Sequence, residues 1–233
     1  GGTATFSANV AAAALSADST VANISFTGST NTFSAASTLA NDGTLTFGNS
    51  TDDSFTFNGG LTTSSVAGTV TLNTSISSSD DNLIFGAITL GNNVTIDTNS
   101  TTTNRADITI AAITGGSNTL TLTTENNVTG SDVTASGAIS GVTTLSLADI
   151  GGTATLSGDV DVTSLVVGAI SNSVANLVFT GNGSTITNAF VPFNDGTLIL
   201  GTDGGTQTFN GGINTFFRPS GAITLNGTIQ SSN

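Results

Sequence analysis

Two aspartates separated by one residue are the acids best placed for chemistry in this chain. Asp159 and Asp161 lie in the segment Gly-Asp-Val-Asp-Val at 158–162. Alternate residues of a β-strand point to the same side, so both carboxylates would project from one face, where such a pair can act as general acid and base. The same two residues are the weak candidates for a metal site. A solvated outer strand face explains them more simply, and we favour that interpretation.

The rest of the composition leaves little reactive chemistry. The chain has 233 residues, a net charge of -13, 15 acidic residues and only 2 basic ones, Arg105 and Arg218; it lacks His, Cys, Met, Trp and Tyr. Thiolate and Ser-His catalysis, ordinary zinc sites and disulfides are therefore excluded. Binding to a phosphate backbone is implausible at this charge. We expect no enzyme, no resident cofactor and no nucleic-acid partner.

Calcium is a minor candidate, because Asp and Asn oxygens suit a hard cation. No segment matches an EF-hand loop or the Gly-rich nonapeptide of calcium-binding β-rolls. Glycine turns such as Asp203-Gly204-Gly205 come nearest and fail on spacing.

One aromatic and cationic segment is the candidate contact for a partner. Phe216, Phe217 and Arg218, followed by Pro219, break the alternating pattern around them. A packed turn or a junction between repeats is the simpler interpretation.

The elements that must position these residues are strands. Apolar and hydroxyl residues alternate in many short segments, and turn formers such as Asn41-Asp42-Gly43 separate them. A period of 2 places apolar side chains inside and threonines outside, while Asn and Gly accept the backbone angles of tight turns. The four alanines between Val10 and Leu15 could favour a helix, but the run is short and we interpret it as strand or turn. The sequence predicts an all-β fold.

The chain also repeats itself. Five collinear blocks recur at a nearly constant offset of about 150–153, which divides the chain into a full copy (1–150) and a partial second copy (151–233). We favour a long array over a single duplication. The five blocks begin at Gly1, Val21, Asn41, Phe57 and Thr71, and recur from Gly151, Val174, Asn194, Phe209 and Thr224.

A repeat of short strands fits a parallel β-solenoid (β-helix), in which each unit buries its apolar residues against its neighbours. Coils of about 20 residues would give some seven or eight coils per repeat, spanning roughly 35 Å at the usual strand separation. The alternative is a series of antiparallel β-sandwich domains of about 75 residues, which the Asn-Gly and Asp-Gly turns would also suit.

Segments such as Gly68–Ile76, Asp81–Asp97 and Gly221–Ile229 resemble the β-strand repeats of large bacterial exoproteins of the filamentous-haemagglutinin-like and autotransporter-passenger-like families. The resemblance implies a structural repeat of an extracellular or cell-surface rod or filament, serving adhesion, biofilm or envelope coverage. It implies neighbouring copies stacked head to tail as partners, no membrane insertion in this segment and no catalytic residue.

Two other functions stay open. The rod could be an adhesin that displays a surface for host or matrix glycans, with Phe216, Phe217 and Arg218 as its contact. The outward threonines also suggest an ice-binding face, although the Thr-x-Thr motifs are unevenly spaced along the sequence, which argues against it.

Overall fold

The computed structural model describes residues 2–100, 104–125, 129–168, 174–216 and 219–231. Strands, turns and bends make up this part of the chain, and it contains no helix of the length and apolarity needed to cross a membrane. The all-β prediction is confirmed. The strands are β1 Thr3–Phe6, β2 Ala11–Ala12, β3 Ser16–Ala17, β4 Asn23–Phe26, β5 Thr30–Phe33, β6 Ser37–Leu39, β7 Leu45–Phe47, β8 Ser54–Phe57, β9 Leu61–Thr62, β10 Val70–Leu72, β11 Ser75–Ser78, β12 Leu83–Leu90, β13 Val94–Asp97, β14 Ile108–Thr114, β15 Thr119–Glu125, β16 Val133–Ala135, β17 Ile139–Leu156, β18 Val160–Val167, β19 Val174–Phe179, β20 Thr185–Ile186, β21 Leu198–Leu200, β22 Thr206–Phe209, β23 Ile223–Leu225 and β24 Thr228–Gln230.

The strands coil into a parallel β-solenoid with three faces. Every strand pairing among the described residues is parallel and joins strands one turn apart, which rules out the antiparallel sandwich alternative. Face 1 contains β1, β4, β7, β10, 88–90 of β12, 112–114 of β14, 139–142 of β17, 160–162 of β18, β20, β22 and β24. Face 2 contains β2, β5, β8, β11, β13, β15, 144–148 of β17 and 164–167 of β18. Face 3 contains β3, β6, β9, 83–85 of β12, 108–110 of β14, β16, 153–156 of β17, β19, β21 and β23.

The core is the interior of the coil. Alternate residues of most strands are buried, as in Phe55 and Phe57 of β8, while Thr56 between them stays partly exposed. Aromatic rings stack along the axis: the Phe26 ring lies 4.7 Å from Phe6 and 5.8 Å from Phe47, both nearly parallel. The predicted period of 2 therefore sets which side chains face inward. The alanine run contributes strand β2, so strand rather than helix is correct there.

The coils vary in length, and this corrects the expected coil count. A short coil separates Val70 from its partner Ile88, whereas a much longer one separates Ile113 from its partner Ile139. Each face gains one strand per turn of the coil. Because longer corners take up more residues per turn, a repeat of fixed length contains fewer turns. From β1 to its counterpart in the second copy, 153–156 of β17, the chain advances six turns on face 1 (β1–β4–β7–β10–β12–β14–β17) and then two further faces. The repeat therefore has about six and two-thirds turns, slightly fewer than the seven or eight expected.

Corners of the two copies are built alike. The Asn41 side-chain amide donates to the carbonyls of Ala22, Gly43 and Thr44 at 3.0–3.1 Å. Asn194, its counterpart in the second copy, donates to the carbonyls of Gly196 and Thr197 at 3.4 and 2.8 Å. Both asparagines are fully buried, so the sequence match corresponds to a matched local structure.

Candidate functional site

The two aspartates considered as an acid pair are engaged with the next coil. Asp159 Oδ1 accepts hydrogen bonds from the backbone N–H groups of Asn182 and Gly183, both at 2.7 Å. Asp161 Oδ1 accepts one from the N–H of Thr185 at 3.0 Å. The carboxylates therefore anchor the turn that begins the coil above them.

The first copy shows that this anchoring does not need an acid. At the offset of 150, Asp159 corresponds to Asn9 and Asp161 to Ala11. Asn9 Oδ1 accepts hydrogen bonds from the Thr30 N–H at 3.1 Å and the Ser29 hydroxyl at 3.2 Å. A neutral amide thus fills the structural role of Asp159, which supports the solvated-face interpretation over an acid–base pair.

A groove of about 500 Å³ lies beside Asp161 on the outer surface. It opens where the β17–β18 register shifts between Ser140 and Val142, at Gly141, whose φ is +67°. Its lining includes Asp161 but not Asp159, and the other polar groups are hydroxyls. One carboxylate among hydroxyls offers hydrogen bonds to a polar ligand, but no paired acid and base. The groove's lining residues are Ser117, Gly141, Val142, Thr143, Asp161, Val162, Thr163, Thr185 and Thr187.

A second group of acids, which the sequence did not reveal, follows the corner between faces 2 and 3. Asp97, Glu125 and Asp149 succeed one another at intervals of about one coil. Burial raises the pKa of Asp97 most; the hydrogen bond from the Asn99 N–H opposes this, and the nearby charge of Asp149 adds to it. Burial also raises the pKa of Glu125, with further contributions from the charges of Asp97 and Asp149 and a hydrogen bond to Asp149. The sequence does contain a signal for this group, since its acids are spaced by about one coil length. The spacing did not stand out because the coils differ in length.

The described part of the chain contains no cluster of acidic side chains arranged to hold a metal ion. Arg105, the described cation, bonds to Asp132 at 2.8 Å and Asp107 at 3.3 Å. Its guanidinium therefore joins two neighbouring coils and is not paired with Asp159 or Asp161.

The expected aromatic contact is partly visible. The Phe216 side chain is 86% exposed, and its backbone N–H donates to Asn214 Oδ1 at 2.9 Å. Phe217 and Arg218 lie outside the described residues. At the offset of 152, Phe216 corresponds to Ser64, also exposed, so an aromatic ring replaces a hydroxyl on the surface of the second copy.

Hydroxyl side chains line up in ranks on face 2. The parallel register places outward residues of successive coils directly above one another, although the motifs are unevenly spaced in the sequence, because corners rather than strands absorb the differences in coil length. Asp97 and Ala148 interrupt the second of two adjacent ranks, and Thr123 in that rank is buried. The first rank is Thr30, Ser54, Ser75, Thr95, Thr121 and Ser146, and the second is Thr32, Thr56, Ser77, Asp97, Thr123 and Ala148.

The described surface thus carries a hydroxyl-lined groove, a stack of acids, the strongly exposed aromatic side chain of Phe216 and ordered hydroxyl ranks. Each offers hydrogen-bonding, charged or apolar groups to a ligand, and none of these described features joins a nucleophile to a base. Comparison with protein-family models, with curated proteins and with solved structures gives no significant match.

Proposed function

We propose that this chain is a non-enzymatic structural repeat of a rod or filament on a bacterial cell surface. The observation that carries the proposal is the continuity of the solenoid across the boundary between the copies. Strand β17, Ile139–Leu156, runs through residues 150 and 151 without a linker, and its two ends lie in the same coil. One copy therefore continues directly into the next with a shared core.

The chemistry of the surface agrees with a load-bearing and protective role. Parallel ladders pair each coil with its neighbours along the whole described length, which suits stiffness. The absence of thiols, thioethers, indoles and phenols removes the side chains most easily oxidised. An extracellular location and head-to-tail stacking of repeats are parts of this same proposal.

Immunolabelling of intact cells tests the proposal of a surface filament. Antibodies raised against the folded chain, applied to the intact cells that make the protein, are expected to label surface filaments at regular intervals along their length. Antibodies absorbed with the chain provide the control. Label confined to the cell interior, or to a soluble monomer in the medium, would contradict the proposal.

A second candidate, an ice-binding face, is favoured by the paired hydroxyl ranks on face 2. Where both ranks carry hydroxyls, from the coil of Thr30 and Thr32 to that of Ser75 and Ser77, the groups are spaced about 4.8 Å apart between strands and roughly 7 Å apart along a strand, a regular spacing that can order water. The test is crystal growth in supercooled solution: faceted or arrested ice crystals with the chain, lost on Thr56→Lys and kept on Thr134→Lys, which alters an outward residue of face 3. Unfaceted disc-shaped growth with the unmodified chain would eliminate this candidate.

The adhesin or glycan-binding alternative is supported by Phe216, since an exposed aromatic side chain is a common contact at interfaces. Glycan binding by the parent chain, compared with a variant at Phe216, tests this alternative.

A further inference from the structure

The first coil presents an apolar surface that its counterpart in the second copy buries. Phe6 is 37% exposed, Ala4 and Ala12 are exposed, and Val10 and Leu15 are half-buried. At the offset of 150 these residues correspond to Leu156, Ala154, Val162, Val160 and Leu165, all of them buried.

The two coils are otherwise bound to the following coil in the same register. Thr3 pairs with Asn23 and Phe6 with Phe26, just as Thr153 pairs with Asn176 and Leu156 with Phe179. The pairs Ala11–Thr32 and Asp161–Thr185 match in the same way, as do Ala17–Leu39 and Val167–Pro192. The coil of residues 153–167 therefore shows what should cover the coil of residues 3–17 on the side opposite its following coil.

In the second copy that side is covered by residues 133–148. Val133 and Ala135 pair with Ala154 and Leu156, and Ile139 pairs with Val160. Leu145 and Leu147 pair with Leu165 and Val167. Backbone bonds complete the contact: the N–H groups of Gly152, Ser157 and Gly168 donate to the carbonyls of Ser131, Ala135 and Leu147 at 2.7–2.9 Å.

We propose that the surface of residues 3–17 is a docking surface for a second copy of this repeat, which covers it with its own residues 133–148. The inference rests on the proposed function and names the partner surface. The chain itself specifies the occupant. Residues 133–148 already cover the equivalent coil, 153–167, which pairs with its following coil in the same register as residues 3–17 do.

Docking in this register fixes the symmetry of the array. The repeat spans six turns on face 1, from β1 to the start of β17, and then two further faces, from face 1 to the face 3 segment 153–156. Equivalent strands are thus six and two-thirds turns apart, about 32 Å along the axis at the usual strand separation. Each repeat is turned by one third of a revolution relative to the last, and three repeats, roughly 96 Å, return a given residue to the same face.

Extending the chain tests the docking surface. Residues 129–150 are fused directly before Gly1, which recreates the natural junction Ile150–Gly151 because Gly1-Gly2-Thr3 repeats Gly151-Gly152-Thr153. Hydrogen exchange is then followed at Gly2, Ser7 and Asp18, the counterparts of Gly152, Ser157 and Gly168. We expect their exchange to slow to the rates of those three internal counterparts.

A control extension carries Leu145→Asn and Leu147→Asn in the added segment only, which should return Asp18 to fast exchange. The amides of 153–167, measured in the same molecule, report that the chain itself is folded. Fast exchange at Gly2, Ser7 and Asp18 in the unmodified extension, with 153–167 still protected, would overturn the proposal. Failure of the antibody test, by contrast, would leave this result unaffected and count only against the proposed function.

Discussion

Ser184, which directly precedes β20, and Gln207 of β22 lie inside neighbouring coils and divide between them two hydrogen bonds to the backbone. Ser184 Oγ accepts from the Val160 N–H at 3.0 Å, and the Gln207 side-chain amide donates to the Gly181 carbonyl. Both side chains are fully buried.

In the first copy a single residue makes both of these hydrogen bonds. Asn31, the counterpart of Ser184, accepts from the Val10 N–H at 3.1 Å and donates to the Gly28 carbonyl at 2.8 Å. The counterpart of Gln207 is Phe55, a buried aromatic residue. Two substitutions thus compensate each other across neighbouring coils.

A double-mutant cycle should reveal this coupling. Gln207→Phe leaves the Gly181 carbonyl without its donor, and an unpaired buried polar group costs about 1–3 kcal/mol. Adding Ser184→Asn restores the arrangement of the first copy, so we expect a favourable coupling of roughly 0.5–3 kcal/mol in urea unfolding followed by far-ultraviolet circular dichroism. Single-mutant effects that simply add would show that the two positions are independent.

Gly43 is required by close packing at its corner. A Cβ at this position would overlap Asn23 Oδ1 and lie 2.6 Å from the Ala22 carbonyl oxygen. Gly43→Ala is therefore expected to destabilise the chain by about 1–3 kcal/mol. Gly86→Ala is the control, because its Cβ would have no neighbour closer than 3.5 Å; its unfolding free energy should stay the same or rise slightly. Equal losses for the two variants would show that the contact at Gly43 is not limiting.

Acidic pH should stabilise the corner that holds Asp97 and Glu125. Both pKa values are raised in the folded chain, mainly by burial, so the folded state binds protons more tightly than the unfolded chain. The resulting stabilisation is complete below the ordinary values of 3.8 and 4.5, and it is lost as pH rises through the folded pKa values.

Glu125→Gln should raise the unfolding free energy at neutral pH and flatten its rise on acidification. Asp203→Asn, in an exposed turn, removes the same charge as a control. The measurement is urea unfolding between neutral pH and pH about 4. A Glu125→Gln variant less stable than the parent at neutral pH would contradict the expected direction.

The fold should tolerate loss of the negative charge at Asp159 but not loss of the side-chain oxygen that accepts its hydrogen bonds. Asp159→Asn keeps an oxygen for the N–H groups of Asn182 and Gly183, as Asn9 does in the first copy. We expect it to change stability by less than about 1 kcal/mol, whereas Asp159→Ala should cost about 1–2 kcal/mol. Thermal unfolding of the two variants distinguishes these outcomes, and equal large losses would restore a specific role for the carboxylate charge.

A variant at Phe216 distinguishes a glycan-binding rod from a purely structural one. Phe216→Ser introduces the residue of the first copy at an exposed position, so the unfolding free energy should stay within about 0.5 kcal/mol of the parent. On a glycan array we expect no signal from either chain if the rod is purely structural. A signal from the parent that the variant loses would favour the adhesin alternative.

Local features were predictable because they depend on neighbouring residues. Alternation of Phe, Leu and Ile with Thr determined the buried side of each strand, and Asn-Gly and Asp-Gly pairs marked corners such as 41–43. The roles of the acids were not predictable, because Asp97, Glu125 and Asp149 meet only after a full coil, and the coils differ in length. The hydroxyl ranks were missed for the same reason.

The sequence by itself determined that this chain is all-β, repeats itself at a long and nearly constant interval, and lacks the side chains of most enzymes. Tertiary structure alone decided the three faces, the one-third turn between copies and the exchange of roles between Asn31 and the Ser184–Gln207 pair. The physical reason is that strand alternation is set within a few residues, whereas register along the axis is set by the number of residues that each corner takes up.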